Sequence, residues 1–235
     1  MLITLVTIFP EMFPGPLAYS LAGKSLGKLW ELKTVNIRDF ALDKHKKVDD
    51  TPYGGGAGMV MKPDVVHNAL KQALSFYDTP PEIIFMSPRG SVFSNKTAKK
   101  LSQNKEGMII LCGRYEGIDQ RVIDHWKKYH NLQEISIGDY VLFGGEIPAM
   151  VVMESCLRFV PGIMGNAESV NDESFSLDLL EYSQYTKPAI WEEYNVPSVL
   201  LSGNHEKIAS WRIAQSKQIT QEIRPDLWER FISQK

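Results

Sequence analysis

Four stretches of the chain are short, continuous and apolar: LITLVTIF (2–9), EIIFMS (82–87), GMIILCG (107–113) and EISIGDYVL (134–142). Rich in Ile, Val and Leu, they have the pattern of parallel strands covered on both faces. Between them the period lengthens to that of helices. KPDVVHNALKQALSFY sets Val65, Val66, Ala69, Leu70, Ala73 and Leu74 on one face, and GIDQRVIDHWKKYH does the same with Ile118, Val122, Ile123 and Trp126. SNKTAKKLSQ predicts a shorter helix with Ser94 as its N-cap. Strands alternating with helices predict a three-layer α/β domain with a mostly parallel sheet, closed by the helix IPAMVVMESCLRFV.

That domain is expected to span residues 1–160. The next stretch, 161–176 (PGIMGNAESVNDESFS), has two glycines, a proline and no periodicity, which predicts a flexible connection. Residues 177–235 then read as a small all-α domain, carried by EKIASWRIAQSKQITQE and by RPDLWERFI, with Pro225 suited to a first helical turn and Trp211 and Trp228 on apolar faces.

Composition changes this picture little. With 235 residues, 43% of them hydrophobic, the chain can fill a substantial core. A net charge of -2 exerts no general pull on polyanions, so any nucleic acid must meet local groups, such as Lys44 to Lys47, Lys96 to Lys100, or Lys207, Arg212 and Lys217. Cys112 and Cys156 sit in apolar runs without partners at metal-ligand spacing and read as buried thiols. No metal site is expected from spacing, His125 and His130 included. The N-terminal apolar run is too short for a signal or a membrane span, which makes the cytoplasm the expected location and a membrane partner unexpected.

The chemistry concentrates in three glycine-bearing loops: MSPRG (86–90), CGRYEG (112–117) and IGDYVLFGG (137–145). All three follow predicted strands, and in open α/β sheets the crevice beyond the strand C-termini is where ligands bind. YGGGAGM (53–59) lacks the Gly-Lys-Ser/Thr of a triphosphate loop, and no Gly-x-Gly-x-x-Gly or Gly-x-Ser-x-Gly is present. Nucleoside triphosphates, nicotinamide cofactors and acyl-enzyme chemistry therefore have no specific support.

FPEMF, VDDTPYGGGAGM, SPRG, CGRYEGIDQR, SIGDYVLFGGEIPAM, RFVPG, DESF and YTKP occur in this order from residue 9 to residue 188. Together they resemble the bacterial tRNA (guanine-N1)-methyltransferases of the SPOUT, or α/β-knot, superfamily. The resemblance implies a deep trefoil knot in the sheet domain, a homodimer with the site at the subunit interface, and a helical C-terminal domain that helps hold tRNA. It implies S-adenosylmethionine-dependent methylation of N1 of the guanosine 3′ to the anticodon (position 37), assisted by Mg²⁺ whose site no spacing locates. The cofactor positions it implies are Met86, Ser87, Pro88 and Gly90; Gly113, Tyr115 and Glu116; and Ile137, Gly138, Asp139, Tyr140, Val141, Leu142, Gly144, Gly145 and Pro148.

Methylating N1 of guanine requires loss of its proton, so a general base is needed, and charge moving toward O6 favours a cation there. Arg158 matches the family's arginine at O6. Ser169 matches a residue near the flipped guanine, Asp49 one that reads the neighbouring guanosine, and Gly58 a backbone contact to the target base. At the base position the sequence departs from the family's Asp-Ser-Phe: Glu173 precedes Ser174, with Asp172 beside it. Glu173 is expected to be the base and Asp172 is the alternative. Methylation of a ribose or another base, and an RNA-binding module without catalysis, are the competing readings.

Overall fold

The structure is a computed structural model that describes residues 1–165, 174–175 and 177–233. It divides into two compact units, Met1–Gly165 and Asn166–Lys235.

The first unit runs β1 (Leu2–Thr7), α1 (Ser20–Ser25), β2 (Glu31–Asn36), β3 (Asp49–Asp50), β4 (Val60–Met61), α2 (Pro63–Leu74), β5 (Glu82–Val92), α3 (Asn95–Ser102), β6 (Met108–Cys112), α4 (Gln120–His130), β7 (Gln133–Ser136) and α5 (Glu146–Leu157). Five strands form one sheet in the order β2-β1-β6-β5-β7, every pair parallel. β3 and β4 pair separately as a small antiparallel ladder.

Alternation along the central strands explains the three layers. Ile84, Met86, Ile110 and Cys112 point to one face, where Val152, Met153 and Cys156 of α5 and Leu101 of α3 cover them. Ile83, Phe85, Ile109 and Leu111 point to the other, under Val66 and Leu70 of α2 and Val122, Ile123 and Trp126 of α4. Both faces are apolar because both are buried. Cys112 and Cys156 are free and fully buried; burial pushes the Cys156 thiol up to about 12, which keeps it protonated.

Several boundaries differ from the sequence reading. β2 carries no continuous apolar run; it is an edge strand with only Val35 buried. The predicted strand 134–142 ends at Ser136, because Gly138 has φ +146° and Ser136 Oγ accepts from its N–H at 3.2 Å, turning the chain away. The strand predicted over 82–87 instead continues to Val92. Ile135 of β7 faces both Met86 and Ser91, so Ser87 to Gly90 loop out and pairing then resumes. Gly90 permits the return, since a Cβ there would collide with the backbone of Glu134 and Ile135. Ser94 does cap α3, accepting from Thr97 N–H at 3.2 Å.

The second unit contains β8 (Ile190–Trp191), β9 (Tyr194–Asn195), α6 (Ser198–Leu201), α7 (His205–Ile223) and α8 (Pro225–Ser233). The expectation of an all-α unit is corrected by the antiparallel β8/β9 hairpin, whose turn residue Glu192 adopts φ +56°. Trp211 and Trp228 are half-buried; Leu227 is the buried apolar residue of α8. Thr220 replaces apolar packing with hydrogen bonds, donating to the Ser216 carbonyl at 2.6 Å and accepting from Leu180 N–H at 2.8 Å.

On the face formed by α2 and α4, His67 Nδ1 accepts from Trp126 Nε1 at 3.1 Å, and His125 and His130 crowd the same rings. Burial first, then His125, hold His67 below the usual histidine value, and the same two causes lower His130. The fold thus favours the neutral imidazoles. Their contribution is complete above the unfolded pKa of about 6.5 and is lost as pH falls from there through the lower folded value. The melting temperature is expected to drop between about pH 7 and pH 5.5, and His67→Gln, which keeps an acceptor for Trp126, to flatten that slope. Thermal denaturation across this range checks it.

Candidate functional site

The loop that interrupts β5 and the C-terminal ends of β6 and β7 open into one cavity of about 540 Å³. They lie where the chain order reverses, β6 on one side of β5 and β7 on the other, which is the place such sheets bind ligands. Its volume is within the range of small-molecule sites. Fourteen of the sixteen positions expected to bind cofactor line it: Met86, Ser87, Pro88, Gly113, Tyr115, Glu116, Ile137, Gly138, Tyr140, Val141, Leu142, Gly144, Gly145 and Pro148. Gly90 and Asp139 do not. Gly90 serves the strand return already described, and Asp139 is exposed on the outer side of its loop.

Most of these glycines make room for protein. Gly145 N–H donates to the Gly113 carbonyl at 2.9 Å, and a Cβ on Gly145 would lie 2.8 Å from Cys112 Cα. A Cβ on Gly144 would overlap the Arg114 side chain. Only without side chains can the start of α5 press against the end of β6 and close one wall of the cavity. Gly138 turns the third loop, and Tyr140 Oη ties it by donating to the Ile137 carbonyl at 3.1 Å. Tyr115 holds φ +59°, a conformation that a bulky residue keeps only when its surroundings enforce it.

A buried ion pair lies behind this wall. Glu146, with no exposed surface, accepts from Thr7 Oγ1 at 2.7 Å and from Arg114 Nε at 2.8 Å. The Arg114 guanidinium lies over the Phe9 ring, 4.6 Å from its centroid. Burial pushes the Cys112 thiol well above its usual value, with Glu146 adding to the effect, which keeps it protonated.

The small β3/β4 ladder brings a second group of residues to the rim. Asp49 pairs with Met61, and Met61 N–H donates to the Gly117 carbonyl while Glu116 N–H donates to the Met59 carbonyl, both at 2.9 Å. Gly58, at φ +85°, packs so closely on the Glu116 side chain that a Cβ would collide with it. Arg158 is the exposed C-cap residue of α5. Ser169, Asp172 and Glu173 lie outside the described residues. Among the described residues no group of three or more His, Cys, Asp or Glu could hold a metal ion. Beside the cavity, Val141 and Phe143 are 85% and 96% exposed, and Ile147 and Val151 extend the apolar surface along α5.

A family model described as tRNA (Guanine-1)-methyltransferase TrmD matches residues 1–230. The chain is 55% identical over 228 residues to a tRNA (guanine-N(1)-)-methyltransferase of Wolbachia pipientis subsp. Culex pipiens, with 96% of each chain covered. It is 53% identical over 225 residues to one from Roseobacter denitrificans, covering 95% of this chain and 91% of the relative. With one from Pelagibacter ubique it shares 50% over 226 residues, 96% of each. The chain belongs to the tRNA (Guanine-1)-methyltransferase family.

In this family member, sequence reasoning missed Thr7, Arg114 and Glu146. Arg114 and Glu146 both stood inside quoted motifs, but no spacing rule pairs positions 114 and 146. The available signal was Glu146 itself, a carboxylate followed by a run of seven apolar residues, Ile147 to Met153. It missed Phe85 and Ile135 as well, which read as plain strand core yet reach the cavity. If the wall depends on backbone approach, Gly145→Ala should destabilise the first unit by about 1–3 kcal/mol. Gly165→Ala, with nothing near its Cβ position, should be near neutral in the same denaturant titration.

Proposed function

We propose that this protein transfers the methyl group of S-adenosylmethionine to N1 of the guanosine 3′ to the anticodon, position 37, in tRNA. The observation that carries this reading is the cavity at the strand ends, in which three glycine loops meet in a member of this family. Relatives bearing the name tRNA (guanine-N(1)-)-methyltransferase support the target atom.

The cavity suits the donor. Ile137, Leu142 and Pro148 offer apolar surface for an adenine, the loop amides and carbonyls offer partners for its edge, and Glu116 offers a negative charge for the amino or sulfonium group. When bound, S-adenosylmethionine supplies an electrophilic methyl group. The protein's part is to orient the acceptor in line with it, which positioning groups do at large kinetic advantage. Gly58 packed on Glu116 supports bringing the target base to the donor's rim, with Asp49 on the adjoining ladder reading the neighbouring guanosine.

Glu173 takes the N1 proton, or Asp172 does so in its place, and Arg158 stabilises the charge that moves to O6. Carboxylates next to Ser174 fit this role because a glutamate's extra methylene is absorbed by a small change of backbone position. Mg²⁺ finds no fitting cluster among the described residues, and no step is assigned to it.

In this proposal two chains assemble through the exposed apolar side chains of Val141, Phe143, Ile147 and Val151, and the site lies at the interface. The sheet unit is threaded as a trefoil knot, as in the α/β-knot superfamily. The second unit contributes tRNA contacts through Lys207, Arg212 and Lys217. A cytoplasmic location accords with the substrate, and no described helix is long and apolar enough to cross a membrane.

The test is incubation of the protein with labelled S-adenosylmethionine and tRNA transcripts carrying G or A 3′ to the anticodon, followed by nucleoside mass analysis. N1-methylguanosine should form only with G, and its absence from a protein that binds the donor would overturn the reading. Glu173→Gln should lower the rate about 10²- to 10⁴-fold while Asp172→Asn has a smaller effect; the reverse order would assign the base to Asp172.

A further inference from the structure

We propose that Arg114 and Glu146 are a positioning pair that sets the affinity of the cavity for the methyl donor. Through this pair the segment after the first strand, which does not line the cavity, acts on it as well. The inference rests on the proposed donor site.

Arg114 is where the elements around the cavity meet. Its backbone belongs to the second loop and bridges Gly144 of the third in antiparallel fashion. Its Nε donates to Glu146 at the start of α5, and Nη1 reaches the Phe143 carbonyl at 3.5 Å. Its planar face covers Phe9, and Nη2 approaches Met12 Sδ at 3.6 Å. Thr7 completes the arrangement, donating to Glu146 while its Oγ1 accepts from Phe9 N–H at 3.0 Å. FPEMF, otherwise without a role in the site, thus packs on a side chain that spans two of the three loops.

A buried ion pair is a poor device for stability alone, because desolvation offsets its attraction and an apolar pair of equal volume holds a core as well. What it provides is direction. A planar guanidinium with several fixed donors can hold Phe143, Glu146 and the Phe9 ring in one geometry, which a lysine's single ammonium cannot. The 144–145 backbone sits against β6 with the ion pair beside it, since the space a Cβ on Gly144 would take is occupied by Glu146 Oε2 and the Arg114 side chain. Displacing it widens the cavity between Tyr115 and Leu142, both of which line it.

The test uses the full chain and calorimetric titration with S-adenosylmethionine, alongside melting temperature and steady-state kinetics. Glu146→Gln and Arg114→Lys should each raise the donor dissociation constant at least about tenfold, with the rise in KM for the donor and not in kcat. Combined, they should be no worse than the poorer single variant, because both break the same link. A melting temperature that falls while the dissociation constant stays at the wild-type value would overturn the inference and leave the pair a structural one. Should Glu146→Gln not fold, Arg114→Lys, which keeps the charge at a partly exposed position, decides the matter by the same readout. Ile137→Asp, a change in the cavity lining, separates the premises: donor binding equal to wild type there, or none in the wild type, overturns the donor-site reading. Binding lost in Ile137→Asp but intact in Arg114→Lys overturns the positioning role alone.

Discussion

The start of α5 is pressed onto the end of β6, and the rest of the site depends on that contact. Gly145 bonds the Gly113 carbonyl, and its missing side chain is the space that Cys112 occupies. Once helix and strand are joined there, the chain between Ser136 and Glu146 has only nine residues in which to leave the sheet and return. It does so as a loop in which Ile137, Tyr140, Val141, Leu142 and Phe143 all border the cavity, with Val141 and Phe143 the most exposed of them. Cavity wall and exposed apolar surface thus belong to one short segment, fixed by one close approach.

Energetically the arrangement combines two kinds of constraint. Apolar packing on both faces of the sheet supplies bulk stability without direction, whereas the Thr7–Glu146–Arg114 chain supplies direction at a desolvation cost. The second unit shows the opposite balance. Its longest helix buries only Ser216 and Thr220, and a hydroxyl bridging Leu180 and Ser216 does what a leucine would do elsewhere.

The core strands and the helices facing them were readable in the sequence because burial on both sides leaves a continuous apolar signal. β2 was not, since an edge strand with one buried residue has none. The three loops were found from their glycines, but what those glycines do was not: a glycine against a ligand and a glycine against Cys112 or Glu134 look the same in one dimension. Resemblance to a known family supplied the expected site residues, and geometry then distinguished Gly90 and Asp139 from the fourteen that meet at the cavity. The Arg114–Glu146 contact was invisible because it joins residues 32 apart with no periodic relation.

The interrupted pairing of β5 has a mechanical meaning. Ser87 to Gly90 are held by sheet hydrogen bonds before and after, with Ile135 as partner on both sides. A loop clamped in this way has little freedom to swing, because opening it would break the pairing of β5 with β7. It forms a fixed floor to the cavity. Residues 137–143 carry no ladder of their own and are held by side chains, Tyr140 Oη donating to the Ile137 carbonyl and Arg114 Nη1 reaching the Phe143 carbonyl. Of the cavity's lining, the 87–90 loop is the part anchored by strand pairing and 137–143 the part anchored by side chains alone, so a change at Tyr140 or Arg114 reaches the second and leaves the first in place.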